Sequence, residues 1–196
     1  MLRHGMPAQT GAMLGWTDSP LSALGERQAR AQSERLSAQG ITQILSSDLA
    51  RCQATARITA ERLSGQSQPA LTVALSADLR ELNFGAWDGQ PAASIAPDAL
   101  RDFYADPDRC PPPQGERWSD LTARVSRALE TLSPRPTLIV AHGGSMRAAL
   151  SVLLGWDMRQ CWTIDLPYAA LLRFQVWDIR PRTAQLTGLF LLEDRL

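Results

Sequence analysis

Val140-Ala141-His142-Gly143-Gly144-Ser145 reads as the end of a buried strand, a glycine turn and the first residues of a helix. Such a turn leaves backbone amides free at a helix N-terminus, where they can receive an anion. Outward from it, the same pattern stands at the start of the chain, where Leu2-Arg3-His4-Gly5 sets a histidine after an apolar stub and before a glycine. His4 and His142 are the only two histidines. Either one alone reads equally as a turn or capping residue. The pair, in matching contexts and with Arg3 able to neutralise an anion, points to one shared site.

Between these two stretches the chain alternates strand and helix. Residues 5 to 21 form a long polar loop, and Ser22 caps a helix from Ala23 to Gln39 that Gly40 stops. Ile41 to Ser46 is a buried strand, and Ser46-Ser47-Asp48 is placed to cap a helix running to about Leu63. Arg51 falls in the first turn of that helix and can reach back over the sheet edge. Gly65 to Pro69 is a loop, Leu71 to Leu75 a third strand, and Leu79 to Gly89 a glycine-broken segment that holds Glu81 and two aromatics able to line a pocket. Pro91 to Tyr104 is a helical excursion, followed by a proline-rich candidate lid over Asp106 to Gly115. An amphipathic helix (Trp118 to Leu132), a strand (Thr137 to Ala141), a helix (Ser145 to Leu154, closed by Gly155) and strands near Tyr168 to Trp177 and Ala184 to Leu192 complete the pattern. The expected fold is α/β, a three-layer αβα sandwich with a mostly parallel sheet, in a single domain spanning 1–196. In such sheets ligands bind beyond the carboxyl ends of the strands, where Arg3-His4, Arg51, Glu81 and His142 all fall.

Lys+Arg and Asp+Glu number 20 each, so there is no global field to attract nucleic acid or an anionic membrane. Every basic residue is arginine and none is lysine, which excludes Schiff-base and P-loop lysine chemistry and leaves arginine for bidentate phosphate binding. The three cysteines share no metal-ligand spacing and suit a reducing cytosol. Cys52, beside Arg51, reads as a small buried helix residue, with a reactive thiol as the alternative. No apolar run is long enough to span a membrane, no signal peptide precedes Arg3, and a cytoplasmic location is expected.

Arg3-His4-Gly5, the string Ser46 to Ala56 around Arg51, Glu81 in its segment and the His142 turn together resemble the histidine phosphatase superfamily, also called phosphoglycerate mutase-like. Within it, Gly15 to Leu21 with Gly25, Glu81-Leu82-Asn83-Phe84-Gly85-Ala86-Trp87-Asp88-Gly89, and Gly115 to Leu121 with Arg124-Val125 resemble the alpha-ribazole phosphatases of cobalamin assembly most closely. The resemblance implies a metal-independent phosphomonoester hydrolase without cofactor that works through a phosphohistidine on a small-molecule phosphate ester. It assigns His4 as nucleophile, Glu81 as acid and base, His142 as a protonated electrophile, and Arg3, Arg51, Thr10 and the Gly143 amide as phosphate contacts.

The chain departs from its relatives in carrying Pro7 and Thr10 where many have threonine and asparagine. Only two residues precede Arg3: either the native start lies upstream of Met1 or the first strand is unusually short, and an incomplete strand could hold His4 loosely. Glu81 could instead pair with Arg80 or another arginine. Two other functions stay open: a broad or sugar-phosphate phosphatase of the same superfamily, and an inactive phosphate-binding module.

Overall fold

The computed structural model describes residues 1–64, 71–177 and 183–192. Six strands form one sheet: β1 Leu2–Arg3, β2 Gln43–Ser47, β3 Val73–Ser76, β4 Thr137–Ala141, β5 Leu171–Trp177 and β6 Thr183–Phe190, in the order β3-β2-β4-β1-β5-β6. The first four in that order run parallel, and β5 and β6 add an antiparallel edge. The helices are α1 Ala23–Leu36, α2 Ala50–Ser64, α3 Pro97–Ala105, α4 Trp118–Glu130, α5 Gly143–Leu154 and α6 Met158–Trp162.

β4 explains why the sheet is covered on both faces. Successive side chains of a strand point to opposite faces. Leu138 and Val140 therefore enter an apolar cluster with Leu36 of α1 and Cys52 and Ala56 of α2. Ile139 and Ala141 enter the other, with Leu121 and Val125 of α4 and Met146 and Leu150 of α5. A continuous apolar run is what a central parallel strand requires, and the expected αβα layering follows from it.

Several local expectations are corrected. α1 stops at Leu36, short of Gln39: the Ser37 and Gln39 amides bond only three residues back, to the Glu34 and Leu36 carbonyls at 3.4 and 3.0 Å, before Gly40 turns at φ +62. The N-terminus of α2 is capped from a distance: the Ala50 amide donates to Asp18 Oδ1 at 2.6 Å, whereas Ser47 Oγ lies 3.4 Å from the Leu49 amide. Asp48 instead takes a two-pronged contact from Arg80, at 2.7 and 2.6 Å. The helical excursion expected over Pro91 to Tyr104 is present but split, a 3-10 turn at Ala92–Ser94 followed by α3. The loop expected at Gly65 to Pro69 lies outside the described residues. The proline-rich segment is tied down, with Asp108 Oδ1 accepting from the Ser119 amide at 2.8 Å. None of the described helices is long and apolar enough to cross a membrane.

Candidate active site

β1 is only two residues long, yet it does not leave His4 loose. Leu2 is paired with Val140 on one side and Leu171 on the other, and the His4 amide donates to the Ala141 carbonyl at 3.0 Å. The His4 carbonyl accepts from the amide of Ala169, a non-glycine residue at φ +60. Beyond His4 the chain must pass close to α1: a Cβ on Gly5 would fall 2.2 Å from the Gly25 carbonyl oxygen, so this crossing needs glycine.

His4 is 4% exposed, and its Nδ1 lies 2.7 Å from the Gly5 carbonyl oxygen. A carbonyl only accepts, so Nδ1 carries the proton and Nε2 keeps its lone pair. Burial, then the charges of Arg3 and Arg51, hold the His4 pKa well below its ordinary value, against a smaller opposing effect of the Gly5 bond. The structure thus supplies a neutral imidazole whose Nε2 has no hydrogen-bond partner among the described residues.

His142 packs edge-on to His4, with ring centroids 5.0 Å apart. Its Nδ1 accepts from Arg51 Nε at 3.3 Å and its Nε2 faces Ser47 Oγ at 2.9 Å. Both ring nitrogens fit the neutral form, and burial, then the repulsion that His4 and His142 would feel if both were protonated, then the Arg51 charge hold its pKa well below the ordinary value. The expected protonation of His142 is one that an incoming dianion has to bring about, since burial and the arginines disfavour an imidazolium when no anion offsets them. Cys52 lies against the same ring, Sγ 3.3 Å from Nε2. Burial raises its thiol pKa, which favours the packed, protonated thiol over a reactive thiolate.

Arg51 does reach back over the sheet edge, but its donors do not form an open fork. Nη1 donates to the Thr17 carbonyl at 2.8 Å and Nη2 to that of Gly15 at 2.6 Å, so the guanidinium fastens the long loop behind the histidines. Asp88 holds that loop from the other side, accepting from the amides of Gly15, Trp16 and Thr17 at 2.9, 2.7 and 3.0 Å.

A cavity of about 300 Å³ opens over His4. Arg3, Glu81, Gly143 and Gly144 share its polar side, and Phe84, Phe103, Tyr104, Trp118, Trp162 and Tyr168 form an aromatic wall. His142 and Arg51 are 0% and 1% exposed and sit behind that lining. Thr10 is exposed on its loop and does not line the cavity, so the structure does not bring it to the site. A larger cavity, about 790 Å³, lies at the opposite ends of the strands beside Thr137 and Leu138, remote from both histidines.

Glu81 is the one carboxylate among the cavity-lining residues. Its Oε2 accepts from the Gly144 amide at 3.0 Å and its Oε1 from the Leu82 amide at 2.9 Å. Arg80 pairs with Asp48 rather than with Glu81, which removes the simplest structural alternative. The two neighbouring acids are engaged elsewhere, Asp88 with the loop amides and Glu116 with Arg124 at 2.6 Å.

Sequence reasoning gave no weight to Arg147 or Tyr168. Arg147, one turn into α5, lines the cavity, stacks over Trp162 at 5.1 Å and has no ion-pair partner among the described residues. Its place four residues after Gly143, one helical turn on and on the same face, could have flagged it. Arg3 lies over the Tyr168 ring at 4.2 Å and donates to the Leu166 carbonyl at 2.5 Å.

The sheet order and the paired histidines beyond its carboxyl edge define an α/β protein of phosphoglycerate mutase-like architecture. Residues 1–187 match the histidine phosphatase superfamily (branch 1), and the chain belongs to it. It is 35% identical over 164 residues to a Yersinia enterocolitica protein named Probable phosphoglycerate mutase GpmB, covering 79% of this chain and 74% of the relative. It superposes on mycobacterial glucosyl-3-phosphoglycerate phosphatase Rv2419c, in complex with VO3, with a TM-score of 0.84 at 29% identity and 96% of each chain covered. An Escherichia coli K-12 protein assigned provisionally as an alpha-ribazole-5'-P phosphatase gives 0.79 at 23% identity, covering 96% and 93%, a likeness of fold alone. Members of this superfamily are phosphatases or mutases, so the chain is an enzyme of phosphoryl transfer whose site suits small phosphate esters.

Proposed function

We propose that this enzyme is a phosphomonoester hydrolase acting through a phosphohistidine at His4, with alpha-ribazole 5'-phosphate as substrate, and that residues 1–196 form one cytoplasmic domain. The observation that carries the reading is the Nδ1 to Gly5 carbonyl bond, which fixes His4 in the tautomer that can attack phosphorus. Attack by Nε2 forms the N–P bond as the ester P–O bond breaks, and the leaving alkoxide takes its proton from Glu81. Glu81 then removes a proton from the water that attacks the phosphohistidine, releasing phosphate and restoring His4. Arg3, Arg51 and the amide of Gly143 supply the positive potential that phosphoryl transfer demands. For His142 to act as an electrophile, the incoming dianion must draw a proton to its Nδ1 and displace Arg51 Nε.

The aromatic wall supports a substrate with a flat base, since rings stack at little cost in conformational freedom. The three unpaired cysteines support a reducing compartment. A second reading, a sugar phosphate or glycerate ester, is favoured by Arg147, a cation facing the cavity without an acidic partner among the described residues. The names of the Yersinia and mycobacterial relatives, both of which contain a phosphoglycerate, favour it too.

Initial rates on ribazole 5'-phosphate, phosphoglycerates, glycerol phosphate, sugar phosphates and p-nitrophenyl phosphate test the proposal. Highest kcat/KM on ribazole phosphate supports the first reading. A preference for phosphoglycerate over glycerol phosphate that Arg147→Gln abolishes supports the second. No hydrolysis of any ester overturns both.

A further inference from the structure

We infer that Arg124 is a positioning residue for the acid-base step, acting through the backbone that carries Glu81; this rests on the role of Glu81 proposed above. Residues 80–84 belong to neither helix nor strand, so no regular ladder fixes them. Their backbone polar groups must find other partners, and Arg124 supplies them. Arg124 is 7% exposed in α4, and every nitrogen of its guanidinium is engaged along this strip. Nη1 donates to the carbonyls of Asp78 and Arg80 at 2.9 and 2.7 Å. Nη2 donates to the carbonyl of Glu81 itself at 2.8 Å and to Glu116 Oε2 at 2.8 Å, and Nε donates to Glu116 Oε1 at 2.6 Å.

Glu116 completes the clamp on the other side of Glu81, where its Oε2 accepts from the Asn83 amide at 3.1 Å. Trp16 Nε1 reaches the same Glu81 carbonyl at 2.9 Å. The residue is therefore gripped at its backbone by Arg124 and Trp16, while Leu82 and Gly144 orient its carboxylate. Arg124 does not line the cavity, so a direct substrate contact does not account for this arrangement. Five donors in a planar fork, matched to three carbonyls and a carboxylate, are a task that lysine's three donors on one nitrogen cannot perform. A shift of about 1 Å in a reacting group can cost on the order of a hundredfold in rate, and a proton donor at a poor leaving group is sensitive to such a shift.

The experiment compares Arg124→Lys and Glu116→Gln with the wild type and with Glu81→Gln. Each is assayed on glycerol phosphate and on p-nitrophenyl phosphate, with circular dichroism and thermal midpoints recorded. In Arg124→Lys the alkyl ester should lose on the order of a hundredfold in kcat and the aryl ester no more than about tenfold, because an acidic phenol needs little protonation. Phosphohistidine should accumulate, as in Glu81→Gln. Glu116→Gln should show the same asymmetry to a smaller degree, and it carries the test if Arg124→Lys does not fold. Equal losses on the two esters without accumulation, while Glu81→Gln remains asymmetric, overturn the inference. Absence of the asymmetry from Glu81→Gln itself overturns the acid role, and the inference with it.

Discussion

The amide of Gly144 donates to Glu81 Oε2 at 3.0 Å, and a Cβ on Gly144 would fall 2.0 Å from Oε1 of the same carboxylate. The turn after β4 thus seats the acid delivered by the segment after β3, in a space that only glycine leaves open. Gly144→Ala should displace the carboxylate and lower kcat on an alkyl phosphate roughly a hundredfold. Stability should not fall in step, since alanine is favoured over glycine in a helix by about 1 kcal/mol. Activity within a factor of about three of wild type would show that the Glu81 position does not matter to turnover.

Arg51 joins Thr17 and Gly15 of the long loop to the His142 ring. Lysine preserves the charge but cannot hold two carbonyls and a ring nitrogen in one plane. Arg51→Lys should therefore cost about 2–3 kcal/mol in kcat/KM, on the order of a hundredfold. Wild-type kinetics in this variant would reduce Arg51 to a filler behind the site.

Stability should fall with acid through the two histidines. Both are held well below the usual 6.5, by burial first and neighbouring charges second, so the folded state keeps them neutral. The unfolded chain binds protons as pH drops through 6.5, and the folded chain does not until much lower pH. The stabilisation is therefore complete above about pH 6.5 and declines below it, by up to about 1.4 kcal/mol per pH unit for each histidine. Asp48, held low mainly by its hydrogen bond to Arg80, adds to the loss only nearer the carboxylate range. Urea midpoints from pH 7.5 to 5 should fall for the wild type and fall less steeply for His142→Asn. Parallel slopes in the two proteins would contradict this origin.

The histidines, Arg3, Arg51 and the layering were legible because local patterns encode them: apolar runs that end before glycine, and an arginine one turn into a helix. Glu81 was reached only through resemblance, since nothing in its own segment distinguishes it from Asp88 or Glu116. What makes the site rigid was hidden for a different reason. The partners of Arg51 and Arg124 are mostly carbonyls distant in sequence, and a carbonyl carries no side-chain signature. The Asp18 cap on α2 and the Ser47 contact to His142 are long-range in the same way. Thr10 shows the converse, a residue of suitable type near the motif that the loop turns outward.

The central claim is that His4 carries the phosphoryl group between the two displacements. Rapid acid-free denaturation of Glu81→Gln during turnover of an aryl phosphate, followed by peptide mass spectrometry, tests it most directly. Phosphate should be found on His4, labile to acid and stable to alkali, at close to one group per chain, and it should be absent from His4→Ala, which should also have lost nearly all turnover. Phosphate on another residue, or substantial hydrolysis by His4→Ala, would contradict the account.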